Sequence, residues 1–280
     1  MNGQKPKISV VVPAYNEERY LPRCLESLNN QTFRDFEVVV VDNNSRDKTA
    51  AIAESFGARV VKEPKQGMIH ARERGFAEAR ANIIARTDAD TVVAPNWLEV
   101  IDTTFKEHPK AVALCGSLLS PTERIPDSVF FDYSEFFFKR MGNVLAGHTL
   151  LLGPNMAIRK AAWEKVRVHT NDKQVHEDID LACHLIEQGT ILFVPEMQVV
   201  FSFRRLEKRV VAGAVEYLFE YPTRYFRTIF LHHPILKNGK KNRLLSFGAG
   251  KNMIDDEVEN GAEYIRAPKT PRFIKQIRKK

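Results

Sequence analysis

Three short apolar runs, each cut off by polar residues, constrain this chain more than anything else in it. Lys7 to Val12 is largely β-branched and stops at Pro13, which a central strand does not accommodate. Phe36 to Val41 closes in Asp42-Asn43-Asn44-Ser45, and Ile83-Ile84-Ala85-Arg86 runs into Thr87-Asp88-Ala89-Asp90. Helical patterns fill the intervals. Leu21, Leu25 and Leu28 recur after Asn16-Glu17-Glu18, with Asn16 the expected N-cap. Thr49, Ile52, Ala53 and Phe56 precede Gly57, a suitable C-cap. Ala58 to Lys62 is a further short strand, and Ala71 to Arg80 another helix. Strands of about five residues alternating with helices of about ten predict βαβ units and a parallel sheet.

The second half is less regular. Trp97 to Phe105 predicts a helix and Ala111 to Leu119 a strand. Between Asp127 and Leu145, Phe130, Phe131, Tyr133, Phe136, Phe137, Phe138 and Met141 crowd most faces of one helical segment. Core packing is the expectation for such a helix, with an apolar acceptor groove as the alternative. The apolar run Leu150 to Ile158 is broken by Gly153-Pro154, a turn between two buried pieces, and Arg159 to Val166 predicts a short helix. His176-Glu177-Asp178-Ile179-Asp180 opens a helix whose acidic first turn suits the positive end of the dipole. Ile191 to Pro195 and Gln198 to Phe201 are the last expected strands.

Composition bounds the class. The chain has 280 residues, 44% of them hydrophobic, enough for one large core. Cys24, Cys115 and Cys183 are odd in number and widely spaced, so neither a disulfide framework nor a C-x-x-C pair is expected. With no apolar run of membrane-spanning length and no signal-peptide pattern before Ile8, a cytoplasmic protein is expected. The net charge of +7 is uneven: residues 204–280 hold 18 Lys or Arg against 8 Asp or Glu, which leaves the remainder near −3. A basic tail on a near-neutral body points to an anionic partner or to a solvated face.

Polar clusters follow four apolar stretches: Pro13 to Glu17, Asp42 to Ser45, Asp88 to Asp90, and Glu177 to Asp180. In a parallel sheet the first three share one edge, where ligands of α/β proteins collect. Asp88-Ala89-Asp90 can chelate a hard divalent cation while leaving positions for phosphate oxygens. Singly, each cluster also reads as turn or cap chemistry. His176 and Asp180 lie at i, i+4 spacing, but the zinc-protease pattern needs a second His where Asp180 stands.

Taken in order, VVPAYNEERYLPRCLESLNNQTF, VVVVDNNSRDKT, TDAD, GPNMAIRKAAW and HEDIDLACHLIEQG resemble glycosyltransferase family 2, over roughly residues 7 to 203. The resemblance implies a GT-A type α/β fold with a mostly parallel central sheet flanked by helices. It implies a nucleotide-binding half at about 7–92 and an acceptor-binding half at about 93–203. A helical, basic, aromatic extension at 204–280 lies outside it. The implied activity is non-processive, metal-dependent, inverting transfer of a sugar from a nucleotide-diphosphate sugar to a hydroxyl acceptor, lipid-linked or cell-surface glycan precursors included. Pro13, Ala14, Tyr15, Glu17, Asp42, Asn44, Gly67, Arg72 and Asp88 would contact the nucleotide. Asp90 would hold Mg²⁺ or Mn²⁺, Asp178 would be the catalytic base, and Gly153, Asn155 and Glu177 would face the acceptor.

Processive relatives carry Gln-x-x-Arg-Trp after the base motif; here Ser202-Phe203-Arg204-Arg205-Leu206 stands instead. A sugar-phosphate nucleotidyltransferase would open with a Gly-rich phosphate loop where Pro13-Ala14-Tyr15-Asn16-Glu17 lies, and a non-catalytic nucleotide-sugar-binding scaffold need not keep Asp90 and Asp178. No nucleic-acid motif accompanies the basic tail. Val210 to Phe219 and Tyr221 to Leu231 mix aromatic and aliphatic residues with Arg224 and Arg227, as interfacial helices do. Peripheral contact with an anionic inner membrane face, or else core or dimer packing, is expected there.

Overall fold

A computed structural model describes residues 5–169, 175–202 and 221–232. Strands β1 (Ile8–Ala14), β2 (Phe36–Asp42), β3 (Arg59–Lys62) and β4 (Ile83–Arg86) alternate with helices α1 (Leu21–Asn29), α2 (Thr49–Ser55) and α3 (Met68–Glu78). They lie side by side in the order β3-β2-β1-β4, all parallel. The cause is burial on both faces. Ile8, Val10, Val11 and Val12 of β1 and Val39, Val40 and Val41 of β2 are all fully buried, as a sheet covered by helices on both sides requires.

Pro13 does belong to β1, against expectation. Thr87 N–H donates to the Val11 carbonyl, so residue 13, two further on, turns the same way, past the last β1–β4 pair at Val11 and Arg86. Its missing N–H therefore costs no ladder bond. Asn16 is not the cap of α1, which begins at Leu21; it takes a left-handed φ of 54° inside the loop.

The second half extends the same sheet with mixed directions. Strands β5 (Val92–Val93), β6 (Ala111–Leu119), β7 (Met156–Arg159) and β8 (Thr190–Val200) complete an eight-stranded order β3-β2-β1-β4-β7-β6-β8-β5. β7 runs antiparallel to both β4 and β6, and β5 antiparallel to β8, while β6 and β8 are parallel. The two strands expected near 191 and 198 are one, β8, with a register shift against β6 between Gly116 and Ser117. Helix α4 (Trp97–Glu107) follows β5.

The aromatic segment is a continuous helix: α5 (Asp127–Ser134), a π-helical turn (Glu135–Met141) and α6 (Gly142–Ala146). Phe130, Phe131 and Phe138 enter the core, while Tyr133, Phe136 and Val144 are exposed. Core packing accounts for one side of it only. A short α7 (Lys160–Trp163) precedes α8 (Glu177–Leu185).

Of the extension, helix α9 (Tyr221–His232) lies within the described residues; Arg204, Arg205, Val210 to Phe219 and residues 233–280 lie outside them. Its stripe Tyr225, Thr228, Ile229 and His232 has the i, i+3, i+4, i+7 spacing of a docked face. Tyr225 stacks on His176 at 4.4 Å and meets Phe137 edge-on at 5.1 Å. The Thr228 hydroxyl accepts from the His176 N–H at 2.8 Å. All three cysteines are buried and free. No helix among the described residues is long and apolar enough to cross a membrane.

Candidate active site

The register sets the first part of the site. Ala14 pairs with Asp42 across β1 and β2, and Val11 with Arg86 across β1 and β4, so the loops after three strands open on one edge. They are laced together. The Glu17 N–H donates to Thr49 Oγ1 at 2.8 Å, the Asn16 N–H to Ser45 Oγ at 3.0 Å, and Asn16 Oδ1 accepts from the Arg46 N–H at 2.8 Å. Asp42 Oδ1 accepts from the Ser45 N–H at 3.0 Å, which closes the turn after β2. Tyr15 is 46% exposed, between a buried Ala14 and a buried Glu17 in the loop after β1.

Asn43, to which no role was assigned, proves to be the fastener of this edge. Its amide donates to the carbonyls of Glu63 at 2.8 Å and Lys65 at 2.7 Å, and its Oδ1 accepts from the Gly67 N–H at 2.9 Å. Asn44, in a left-handed conformation at φ 66°, donates to the Pro64 carbonyl at 2.6 Å. Together they pin the loop that leads into α3. Gly67 there has φ 142°, a backbone state open to glycine and strained for other residues.

Asp88 and Asp90 follow β4, both half-buried. Their charge is felt in the core. After burial, the fields of Asp90, Asp88 and Glu17 push the Cys24 thiol far above its ordinary range. Carboxylate oxygens such as those of Asp88 and Asp90 are the donors that hard divalent cations take.

The second part of the site comes from α8. Asp178 is buried, its Oδ1 2.6 Å from Arg86 Nη1, and its Oδ2 accepts from the Gly153 N–H at 3.0 Å. Arg86 Nη2 lies 3.2 Å from Glu177 Oε1 and 3.2 Å from Asp88 Oδ1. One guanidinium, 2% exposed, thus joins the strand-end acid to both acids of the helix. Burial opposes its charge, but Asp178, Asp88 and Glu177 together hold its pKa above the ordinary arginine value. Sequence reasoning gave Arg86 no role. The signal was there: a charge at the end of an apolar central strand must be paired when the strand is buried.

Arg72, expected at the nucleotide, is fully buried beneath α8 instead. Its Nη1 donates to the Glu177 carbonyl at 2.9 Å and lies 3.9 Å from Asp178 Oδ1, and its Nη2 pairs with Glu73 at 3.0 Å. Glu177 titrates high, at about 7: burial raises it, Arg86 and Arg72 oppose, and Asp178 and Asp88 add to the rise. His176 is pushed down to about 4 by burial, with Asp178 opposing and Arg224, Arg86 and Arg72 adding, so its ring stays neutral against Tyr225.

Gly153 is where α8 meets the strand edge. A Cβ there would lie 2.6 Å from Asp178 Oδ2 and 2.9 Å from Arg86 Nη1. Asn155, expected to face the acceptor, is instead fully buried. Its amide donates to the carbonyls of Ser117 at 2.8 Å and Met197 at 2.7 Å, and its Oδ1 accepts from Trp97 Nε1 at 2.8 Å. With both amide hydrogens and one lone pair of the oxygen engaged, it ties β6, β8 and α4.

A mostly parallel sheet with acids at one edge and the acids of α8 joined to them through Arg86 defines an α/β protein with one candidate site at the strand ends. The model of Glycosyl transferase family 2 matches residues 9–167, more than half of the chain, and the chain belongs to that family. Glycosyltransferase GlyG of Streptococcus pneumoniae is 33% identical over 113 residues, 38% of this chain and 38% of its own. Glycosyltransferase AglE of Haloferax volcanii is 34% identical over 107 residues, 35% of each. The match thus spans well under two thirds of these relatives.

Among solved structures, the mannosyltransferase PcManGT from Pyrobaculum calidifontis, in complex with GDP-Man and Mn²⁺, shares the fold. Its TM-score is 0.59 at 20% identity, over 82% of this chain and 71% of that one. TarS of S. aureus with UDP-GlcNAc gives 0.58 at 18%, over 97% and 83%. Both support the GT-A type architecture.

Proposed function

We propose that this chain moves a sugar from a nucleoside-diphosphate sugar to a hydroxyl acceptor, one residue at a time, with inversion at the anomeric carbon. The observation that carries the reading is Arg86, which links Asp88 at the donor edge to Asp178 on α8 through contacts of 3.2 and 2.6 Å. Asp88 and the base carboxylate therefore belong to one electrostatic unit.

In this reading the loops after β1, β2 and β4 hold the nucleotide. Asp42 accepts from the base, Tyr15 lies over the mouth, and Asp88 faces the ribose. Asp90, with Asp88 beside it, would hold Mg²⁺ or Mn²⁺, which offsets the charge that builds on the departing diphosphate. The donors GDP-Man and UDP-GlcNAc, and the Mn²⁺, bound by the structural neighbours support that assignment. Asp178 takes the proton of the acceptor hydroxyl as its oxygen attacks the anomeric carbon and the bond to the diphosphate breaks on the opposite face. Arg86 and the Gly153 N–H fix the carboxylate's orientation for that transfer, while each oxygen keeps a lone-pair direction free. Glu177 is the second reading for the base, favoured by its pKa of about 7.

A donor screen by nucleotide release with Mn²⁺ tests the reading. Asp178→Asn is expected to keep donor binding and lose about 10²–10⁴ in transfer rate. An equal loss in Glu177→Gln with Asp178→Asn active would move the base to Glu177, and no turnover of any nucleotide sugar would overturn the proposal. For the membrane, the outer face of α9 exposes Phe226, Phe230 and Leu231 beside Arg227, which supports peripheral contact with anionic lipid. Sedimentation with anionic but not neutral liposomes is the expected result.

A further inference from the structure

On the side of α8 away from Asp178, three histidines converge on one buried carboxylate. Asp180 is fully buried, and its Oδ1 lies 2.7 Å from His169 Nδ1, 2.7 Å from His232 Nε2 and 3.8 Å from His184 Nε2. The four ligand atoms all lie within 4.8 Å of one another. Ring centroids are 5.8 Å apart for His169 and His184, 5.5 Å for His169 and His232, and 4.7 Å for His184 and His232.

We propose that His169, Asp180, His184 and His232 form a four-coordinate site for a borderline transition-metal ion, Zn²⁺ foremost, that fastens α9 and the stretch carrying His169 to the helix carrying Asp178. The donor set argues for this ion. Three imidazoles and one carboxylate are the ligands zinc prefers, and four of them close a tetrahedron, as in structural rather than catalytic sites. Mg²⁺ and Mn²⁺ favour oxygen donors of the kind found at Asp88 and Asp90. The two sites are thus chemically distinct.

Hydrogen bonding alone leaves the cluster incomplete. His184 Nε2 is buried with no hydrogen-bond partner among the described residues, although it points into the group. A metal ion would use that lone pair. The carboxylate is also anchored from outside, because Asp180 Oδ2 accepts from the His169 N–H at 2.7 Å. Such outer contacts orient ligands at metal centres.

The ligands come from three separate stretches of chain: Asp180 and His184 one helical turn apart on α8, His169 ahead of it, and His232 on α9. The site would therefore act as a clamp. Asp180 is two residues beyond Asp178, so a bound ion would stiffen the start of α8 and the docking of α9 at once.

Titration of the full 280-residue chain with Zn²⁺ tests the site, followed by metal analysis after dialysis and by Co²⁺ substitution. One equivalent, a rise in melting temperature with Zn²⁺ and the visible bands of tetrahedral Co²⁺ are expected. His184→Ala should weaken binding by more than the roughly 10–100-fold that loss of an outer-sphere partner costs. Should His184→Ala unfold, His232→Gln preserves a hydrogen-bond donor toward Asp180 and is expected to lose the ion while keeping the metal-free circular dichroism. Asp90→Asn should bind Zn²⁺ as the parent does. Absence of saturable one-to-one binding, binding that survives the histidine substitutions, or binding abolished by Asp90→Asn would each overturn the proposal.

Discussion

The acid at the end of β2 and the acids at the start of α8 belong to one candidate site but are held by opposite means. Asp42 is kept in place by a backbone N–H, and its loop by Asn43 and Asn44 reaching to carbonyls of residues 63–65. Asp178 and Glu177 are buried and depend on two guanidiniums, Arg86 and Arg72, brought from β4 and α3. Neutral hydrogen bonds from nearby residues make a cradle that survives the loss of any one partner. Buried charges held by distant partners make a unit in which one loss exposes the rest.

Arg86→Met tests that difference with the largest expected effect. It leaves Asp178 buried without its hydrogen-bonded counter-ion, Arg72 remaining at 3.9 Å, which costs about 3–5 kcal/mol. Denaturant unfolding should show the loss, and transfer should vanish with it. A variant as stable as the parent would mean that the α8 acids are not held by charge at all.

Gly153→Ala comes next. Its Cβ would meet Asp178 Oδ2 at 2.6 Å and Arg86 at 2.9 Å. Overpacking of this kind costs about 1–3 kcal/mol. Because the crowding falls on the base, kcat should drop while donor KM stays near that of the parent.

Asn43→Ala is the counterpart on the donor side. Three hydrogen bonds disappear, and partly buried carbonyls and the Gly67 N–H lose their partners, at about 1–3 kcal/mol. The expected kinetic result is the reverse of that for Gly153→Ala: donor KM rises and kcat holds. If both variants changed the same constant, the division between cradle and base unit would fall.

The same contrast governs what the chain reveals before it is folded. The cradle was readable because its parts are local. Apolar runs that end in Asp42 and Asp88 predict strand ends, and parallel strands must bring those ends to one edge. The base unit was only half readable. Glu177-Asp178 announces a helix start, but nothing near it in sequence indicates Arg86, 92 residues away from Asp178. Arg72 and Asn155 misled for one reason. Each sits in a stretch that touches the site, and each turns its side chain inward, a choice made by packing and not by spacing. The His169–Asp180–His184–His232 group was invisible for the same cause, since helical spacing drew attention to His176 and the fold uses His184.

Glu177→Gln gives the smallest effect and the finest test. The folded-state pKa of about 7 lies above the ordinary 4.5, so between those values the folded chain holds more protons than the unfolded one. Stability from this group is then full below about 4.5 and is lost as pH rises through 7. Glutamine mimics the protonated form at every pH. The melting temperature of the parent relative to Glu177→Gln should therefore fall from pH 4.5 to 7 and level off above it. By pH 7 most of that change has accrued, so measurements across the interval from 4.5 to 7 give the slope that carries the information. A difference that rises with pH would show that Arg86 and Arg72 outweigh burial at Glu177.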